Sequence, residues 1–405
     1  MSKHAEATIQ TKKQLLEMLE SRKDEMIEIR RHLHANPELS FKEEKTAQYI
    51  ANFYKGKDVD IQTNVGNGYG IIVTIQGGKR GKTIGLRADF DALPIHEETD
   101  VPFKSKNEGV MHACGHDGHT AYMLVLADCL IQMKASIAGT IKIIHQHAEE
   151  TPPGGAKSIV ESGTLDDLDA VFGTHLFPTH PVGTIGHRGG YAMAGRTYFK
   201  LVIQGTGGHG SMPQNSNDPI VAGAHFVTAV QTVVSRRLNP FEMGVVTIGS
   251  FDGKGSFNII KDSIEIEGDV RYMNDKTQQV IDEEIHRIVS GIELQFGVIC
   301  ELTYTADYPP LYNDPEVTAE VVSVLGNAND PDIKEVVEFP VFSGSEDFAY
   351  YSEKVPGTFF FIGCKPEGVE KVYLNHHPKF DINEDALLVS AKAVAHVVCN
   401  YYDVE

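Results

Sequence analysis

Tyr-Phe-Lys-Leu-Val-Ile-Gln (198–204) is the stretch on which the fold turns. It reads as a strand. The segments after it follow in the order helix (219–235), strand (244–250), strand (263–272), helix (277–296), strand (298–305). A βαββαβ order can form a four-stranded antiparallel sheet with two helices on one face. The pattern on either side is different. Upstream, a helix is expected over 11–35, with Leu15, Leu16, Leu19, Met26, Ile29 and Leu33 at three- and four-residue spacings, closed by the proline of 36–40. A short helix (42–53), strands (69–75 and 83–86), a helix (120–134) and strands (139–145 and 170–174) follow. Residues 77–81 read as a hairpin or tight loop. Far downstream come a buried strand (357–364) and a last helix (384–402). Helices alternating with apolar strands predict an α/β domain with a mostly parallel central sheet. The expected organisation is therefore one α/β domain, 1–190 plus 306–405, interrupted by an inserted βαββαβ domain at 191–305.

Composition narrows the function. A chain of 405 residues suggests about two domains. Lys and Arg total 36 against 56 Asp and Glu, a net charge of −20. That balance excludes the basic footprint of a nucleic-acid binder and disfavours an anionic membrane surface. No apolar run approaches the roughly 20 residues of a membrane span; the best, 122–133, contains Asp128. The first 14 residues lack the apolar centre of a signal peptide. Five cysteines, odd in number and without CxxC, argue against a disulfide framework and for a reducing cytoplasm. Gly81-Lys82-Thr83 glances at a phosphate loop, but the upstream position holds Gln76, so that reading is rejected. HExxH is absent. What stands out is 18 histidines, several beside acids or a cysteine.

The strongest chemical signal is Cys114-Gly115-His116-Asp117-Gly118-His119. A thiolate and an imidazole two residues apart, on a glycine-containing loop before a helix, can face one metal ion. Alone, the pattern fits a buried cysteine near a helix start equally well. Glu149 and Glu150 follow the 139–145 strand, and His175 follows the 170–174 strand; the carboxyl ends of strands are where open α/β sheets build sites. His376 lies late in the chain. Each is weak alone. Together Cys114, His116, Glu150, His175 and His376 exceed what one tetrahedral ion uses. A shared thiolate, Cys114, would let two ions sit roughly 3.5–4 Å apart, as in two-metal hydrolases. The charge balance of such a centre favours deprotonation of a bound water and attracts an anionic substrate. Glu149 is then free to act as general base and to return the proton to the leaving nitrogen.

The inserted domain holds a second set. His209 sits in Gly205-Thr206-Gly207-Gly208-His209-Gly210-Ser211, where it could stabilise an oxyanion or simply occupy a surface turn. Arg271 could bind a substrate carboxylate bidentately or pair with Asp269. Asn258 lies in the same domain.

This combination resembles the aminoacylase/carboxypeptidase-type binuclear metallopeptidases, and most their amidohydrolase subfamily of hippurate hydrolases, N-acyl-amino-acid deacetylases and indole-acetyl-amino-acid hydrolases. The resemblance runs through 30–40, Arg-Ala-Asp-Phe-Asp-Ala-Leu-Pro (87–94), Met-His-Ala-Cys-Gly-His-Asp-Gly-His (111–119), Gln-His-Ala-Glu-Glu (146–150), Gly-Thr-His-Leu-Phe-Pro (173–178), Gly-Gly-His-Gly-Ser-Met-Pro (207–213), Gly-Ser-Glu-Asp-Phe (344–348) and His-His-Pro-Lys-Phe (376–380). It implies that Cys114 bridges two divalent ions, Mn²⁺ or Zn²⁺, with Glu150 and His376 completing one site and His116 and His175 the other. It implies Glu149 as catalytic base, Asp89 orienting a ligand, and Asn258 and Arg271 holding the substrate carboxylate. His209 is implied to act in the partner subunit's active site, which makes a homodimer functionally necessary and leaves a tetramer open. Arg87 stands where the wider clan has a metal histidine, and Cys114 where it has a bridging aspartate; both swaps are usual in this subfamily.

The function so implied is metal-dependent hydrolysis of the amide bond of an N-acyl amino acid, with a metallo-dipeptidase or carboxypeptidase as the alternative. A non-catalytic metal- or peptide-binding protein is the third reading, disfavoured by the intact Glu149. The inserted domain is expected to act as lid and dimerisation element, hinged near 189–196 and 305–310.

Overall fold

The apolar runs of Ala138–Gln146, Lys79–Asp89, Ala170–Phe177 and Gly357–Gly363 lie side by side as the parallel centre of an eight-stranded sheet. Their interior residues are buried almost throughout, as expected of strands covered on both faces. Gly70–Gln76 and then Asp60–Val65 extend one side antiparallel; Thr184–His187 and Glu335–Glu338 finish the other. The computed structural model describes the backbone of residues 3–401 and side chains from residue 10 onward.

Helices His116–Gln132 and Asp385–Tyr401 are buried along nearly their whole length and pack on each other and on the sheet. Such helices are apolar all round rather than amphipathic. The helix expected over 11–35 is two helices, Lys3–Ser21 and Lys23–Ala35. Arg22 leaves helical geometry between them and ties its guanidinium to Glu25 and Asp128. Only Gly77 and Gly78 of the 77–81 stretch are loop, since the next strand already begins at Lys79, and they do not close a hairpin: Ala138–Gln146 lies between the two strands they connect, antiparallel to one and parallel to the other. The Asp60–Val65 and Glu335–Glu338 strands, short and largely exposed, and the Thr184–His187 strand, buried but only four residues long, carried too little apolar signal to be read. Tyr402, the expected end of the last helix, lies outside the described residues.

The chain divides into two compact units: Met1–Gly190 with Tyr312–Pro340 and Asp347–Glu405, and Tyr191–Leu311 with Val341–Glu346. The second unit is one long stretch of chain, Tyr191–Leu311, with a short return at Val341–Glu346. Val341–Glu346 belongs there because the Ala194 amide bonds the carbonyls of Phe342 and Gly344. This unit is a four-stranded antiparallel sheet in the order Gly244–Asp252, Ser263–Tyr272, Gly195–Gln204, Ile299–Tyr308. Helices Pro219–Thr232 and Asp275–Phe296 cover it, and Phe199, Leu201, Phe226, Ile266, Ile281 and Ile285 form its core.

Candidate metal centre

Parallel pairing sets the site. Register places Asp89 beside Gln146 and Arg87 beside Gly173, so the chain leaving each strand emerges at one end of the sheet. Asp89, the 147–150 turn and His175 meet there. The helix expected from 120 starts four residues earlier, at His116. Gly115 precedes it with φ 94°, a left-handed conformation that glycine adopts without strain. That turn delivers Cys114 and His116 to one pocket. The Ala170–Phe177 strand runs three residues further than expected, so His175 projects from the strand itself.

All five expected ligands converge. Donor atoms of Cys114, His116 and His175 lie within 4.8 Å of one another, and so do those of Cys114, Glu150 and His376. The two trios share Cys114. Cys114 Sγ and His175 Nε2 are 3.4 Å apart, and His376 Nε2 and Glu150 Oε1 are 3.1 Å apart. Two donors on one tetrahedral ion stand about 3.3–3.6 Å apart. The imidazoles are oriented for the task. His175 Nδ1–H donates to the Leu176 carbonyl at 2.9 Å, leaving Nε2 as acceptor. His116 Nδ1 lies 3.0 Å from the Asp91 carbonyl and 3.1 Å from its carboxylate, leaving Nε2 for the pocket. Hydrogen bonds of this kind fix the tautomer of metal-ligating histidines. His116 Nε2 and Glu150 Oε1 are buried without a hydrogen-bond partner. Buried polar atoms are normally satisfied, so the orphaned pair marks a place for a cation.

Electrostatics agree. Burial lowers the basicity of His116, but Asp89, Asp91 and Glu150 outweigh it and raise its pKa to about 10. Burial first, then Glu150, Glu149 and Asp89, pushes the Cys114 thiol well above its ordinary range. A thiolate there requires positive charge in the same pocket, which a divalent ion supplies. Thiolate, imidazole and carboxylate are all ligand types for divalent transition-metal ions. The donor set fits a two-ion centre. Glu149 is buried, and a carboxylate oxygen of it lies within 4.8 Å of donor atoms of His116 and Glu150.

Asp89 is fully buried. Burial alone would raise its pKa; Arg87, His116 and His119 instead hold it well below the usual carboxylate range. It accepts from Arg87 at 2.6 Å and from His119 Nδ1 at 2.6 Å. His119 also accepts from the Leu176 amide at Nε2, so both its nitrogens are occupied and it is not a ligand. Arg87 further donates to Gln146 and Asp347. It is a buried guanidinium that ties three chain segments together.

Sequence reasoning missed Asp91, whose carboxylate also accepts from the Glu150 amide at 3.0 Å. The signal existed: in Arg-Ala-Asp-Phe-Asp, two acids at a spacing of two share one face of an extended chain. It missed Asn375, whose amide donates to the Cys114 carbonyl at 3.2 Å.

His209, Asn258 and Arg271 lie in the second unit. His209 pairs with Ile259, and the Gly210 amide bonds the Asn258 carbonyl at 2.8 Å, so His209 and Asn258 are brought together. His209 is exposed, its Nδ1 accepting from Ser211. Arg271 sits apart on the four-stranded sheet, its Nε on Asp269 at 2.8 Å and Nη1 on Ser345 at 2.9 Å.

Residues 85–400 match the model of peptidase family M20/M25/M40. YhaA of Bacillus subtilis (strain 168), named as an amidohydrolase, is 45% identical over 96% of this chain and 98% of its own. Thermostable carboxypeptidase 1 of Saccharolobus solfataricus is 39% identical over 92% of this chain and 94% of its own. N-acetylcysteine deacetylase of Bacillus subtilis (strain 168) is 38% identical over 92% and 95%. The crystal structure of the Bacillus subtilis YXEP protein, described as a dinuclear metal-binding peptidase, superposes with a TM-score of 0.81 at 34% identity, covering 95% of this chain and 100% of that one.

Proposed function

The chain belongs to peptidase family M20/M25/M40, a family of hydrolases, and we propose that it cleaves the amide bond of N-acyl amino acids at the pocket around Cys114. The observation that carries this reading is the pair of ligand trios sharing Cys114, with Glu149 beside them and outside both. Cys114, Glu150 and His376 would hold one divalent ion and Cys114, His116 and His175 the other, Mn²⁺ or Zn²⁺. Such ions, when bound, supply Lewis acidity that acidifies water and polarises the scissile carbonyl.

The residues do the rest. Glu149 takes a proton from water as its oxygen bonds to the acyl carbon, then gives that proton to the nitrogen as the C–N bond breaks. The products are a carboxylate and a free amine. Asp89 and Asp91 hold the imidazoles in orientation. His209, contributed by a second subunit, stabilises the developing oxyanion, and Asn258 and Arg271 hold the substrate carboxylate. In this reading 191–305 serves as lid and dimerisation domain of a homodimer or tetramer, and 1–190 with 306–405 as the catalytic domain. Among the described residues no helix is long and apolar enough to cross a membrane, and the five cysteines are free, which supports a cytoplasmic enzyme.

Glu149→Gln tests the reading: turnover of acetyl- and benzoyl-amino acids is expected to fall by about 10³-fold or more while elemental analysis still finds two ions per chain. Near-normal turnover overturns it. The similarity to a thermostable carboxypeptidase favours a second reading, cleavage of short peptides. Rates on acetyl-, benzoyl- and glycyl-amino acids, compared at one salt concentration, separate the two.

A further inference from the structure

The turn that carries Glu149 and Glu150 has an unusual backbone and two unusual supports. Ala148 has φ 51°, the left-handed region that a residue with a side chain seldom adopts. Such a conformation persists only where the surroundings over-determine it. Its amide donates to Glu43 Oε1 at 2.8 Å, and its carbonyl accepts from the Gly155 amide at 3.1 Å. Two residues on, the Glu150 amide donates to Asp91 Oδ2 at 3.0 Å. That oxygen is itself held by Ser40 at 2.7 Å. A side chain at Gly155 would meet the His147 carbonyl at 2.0 Å, so the turn is boxed on that side by backbone. Glu43 arrives from the start of the Glu44–Phe53 helix, more than a hundred residues away in sequence, and is fully buried.

We propose that Glu43 is a positioning residue for the hydrolysis: with Asp91 it brackets Glu149, gripping the amides of Ala148 and Glu150 so that the base and the adjacent ligand point into the pocket together. The inference rests on Glu149 being the base and Glu150 a ligand. Glu43 touches no proposed ligand and no reacting atom. Its second oxygen, Oε2, is buried without a hydrogen-bond partner, so the link from this side chain to the turn is the one bond that Oε1 accepts from the Ala148 amide. Burial and the nearby Asp91 carboxylate raise its pKa to about 8, which agrees with an acceptor whose charge is dispensable. An isosteric neutral acceptor should then serve as well.

Steady-state kinetics on an N-acetyl amino acid, elemental analysis and thermal melting of the metal-loaded protein test this in four variants. Glu43→Ala is expected to lower kcat about 10²-fold, the cost of a base misplaced by about 1 Å, with KM and two bound ions retained. Glu43→Gln is expected to stay within about threefold of wild type. Glu43→Asp withdraws the acceptor by one methylene and is expected to resemble the alanine variant, which keeps the test decisive if that variant does not fold. Wild-type kcat in Glu43→Ala or Glu43→Asp overturns the proposal. So does a Gln variant as impaired as Ala, or a kcat loss matched by loss of metal. Glu149→Gln in the same assay separates the two claims: if it stays active, the assignment of the base fails; if it is inactive and Glu43→Ala is not impaired, only the positioning role fails.

Discussion

Two acidic clusters of the first unit each surround a buried group, and they differ in where their cation comes from. Around Lys392 the chain brings its own: Nζ lies 2.5 Å from Glu20, 2.5 Å from Asp332 and 3.3 Å from Asp330, and His396 bonds the other oxygen of Asp330. Around Cys114 the acids Asp89, Asp91, Glu149 and Glu150 face a thiol and imidazoles. The Arg87 guanidinium near them is committed to Asp89, Gln146 and Asp347. The first cluster is an internal ion network that pins the Lys3–Ser21 and Asp385–Tyr401 helices to the 330–332 loop. The second leaves His116 Nε2 buried without a hydrogen-bond partner. A fold can neutralise buried carboxylates with a lysine or leave the job to a metal ion, and only the second arrangement leaves room for chemistry.

That comparison can be broken in four places. The largest effect belongs to Cys114→Ala, which removes the donor common to both trios: metal content should fall and turnover should drop by at least about 10³-fold, several kcal/mol of lost electrostatic stabilisation. Next comes thermodynamic linkage. Saturating Mn²⁺ or Zn²⁺ at about a thousand times Kd should stabilise the wild type by about 4 kcal/mol; calorimetry should find that increment absent in Cys114→Ala and intact in Lys392→Met. Third, Lys392→Met takes the lysine from the buried Asp330, while Glu20 and Asp332 remain open to water, and should cost about 2 kcal/mol of stability, measured by denaturant unfolding, without changing kcat. The smallest effect is in acid. Burial tends to raise the Asp330 pKa, but His396, the Asp332 amide and Lys392 bring it down to about 2. Its folded pKa lies below the unfolded value of about 3.9, so its contribution is present above pH 4 and lost as pH falls towards 2. Asp330→Asn should flatten the stability profile over that window by about 1–2 kcal/mol. An unchanged slope would mean that Lys392 is neutralised by Glu20 and Asp332 alone.

Much of the centre was legible because its ligands are chemically distinctive. Cys114 and His116 stand two apart across a glycine just before an apolar helix, and Glu149 and Glu150 are adjacent just after an apolar strand. Asp91 and Glu43 were not read as part of it, for different reasons. Asp91 shares the two-residue period of Asp89 and was overlooked. Glu43 sits in Lys-Glu-Glu-Lys, whose local composition is that of an exposed helix start; nothing nearby tells that one of those acids is buried against Ala148. Lys392 gave no sign either, since a lysine in an apolar helix reads as a boundary until its partners are known.

The sequence by itself determined the alternation of helices and strands and the antiparallel order of the inserted unit, and it singled out the five residues whose donor atoms meet around Cys114, because hydrophobic period and side-chain chemistry are local properties. Only the tertiary structure decided that Ala138–Gln146 slips between its two neighbours, that Val341–Glu346 returns to the second unit, and which acids are partnered and which are left facing the metal pocket. Those are facts of register and burial. They arise when segments a hundred or more residues apart exclude water from one another, and a carboxylate's role depends on that exclusion more than on its neighbours in the chain.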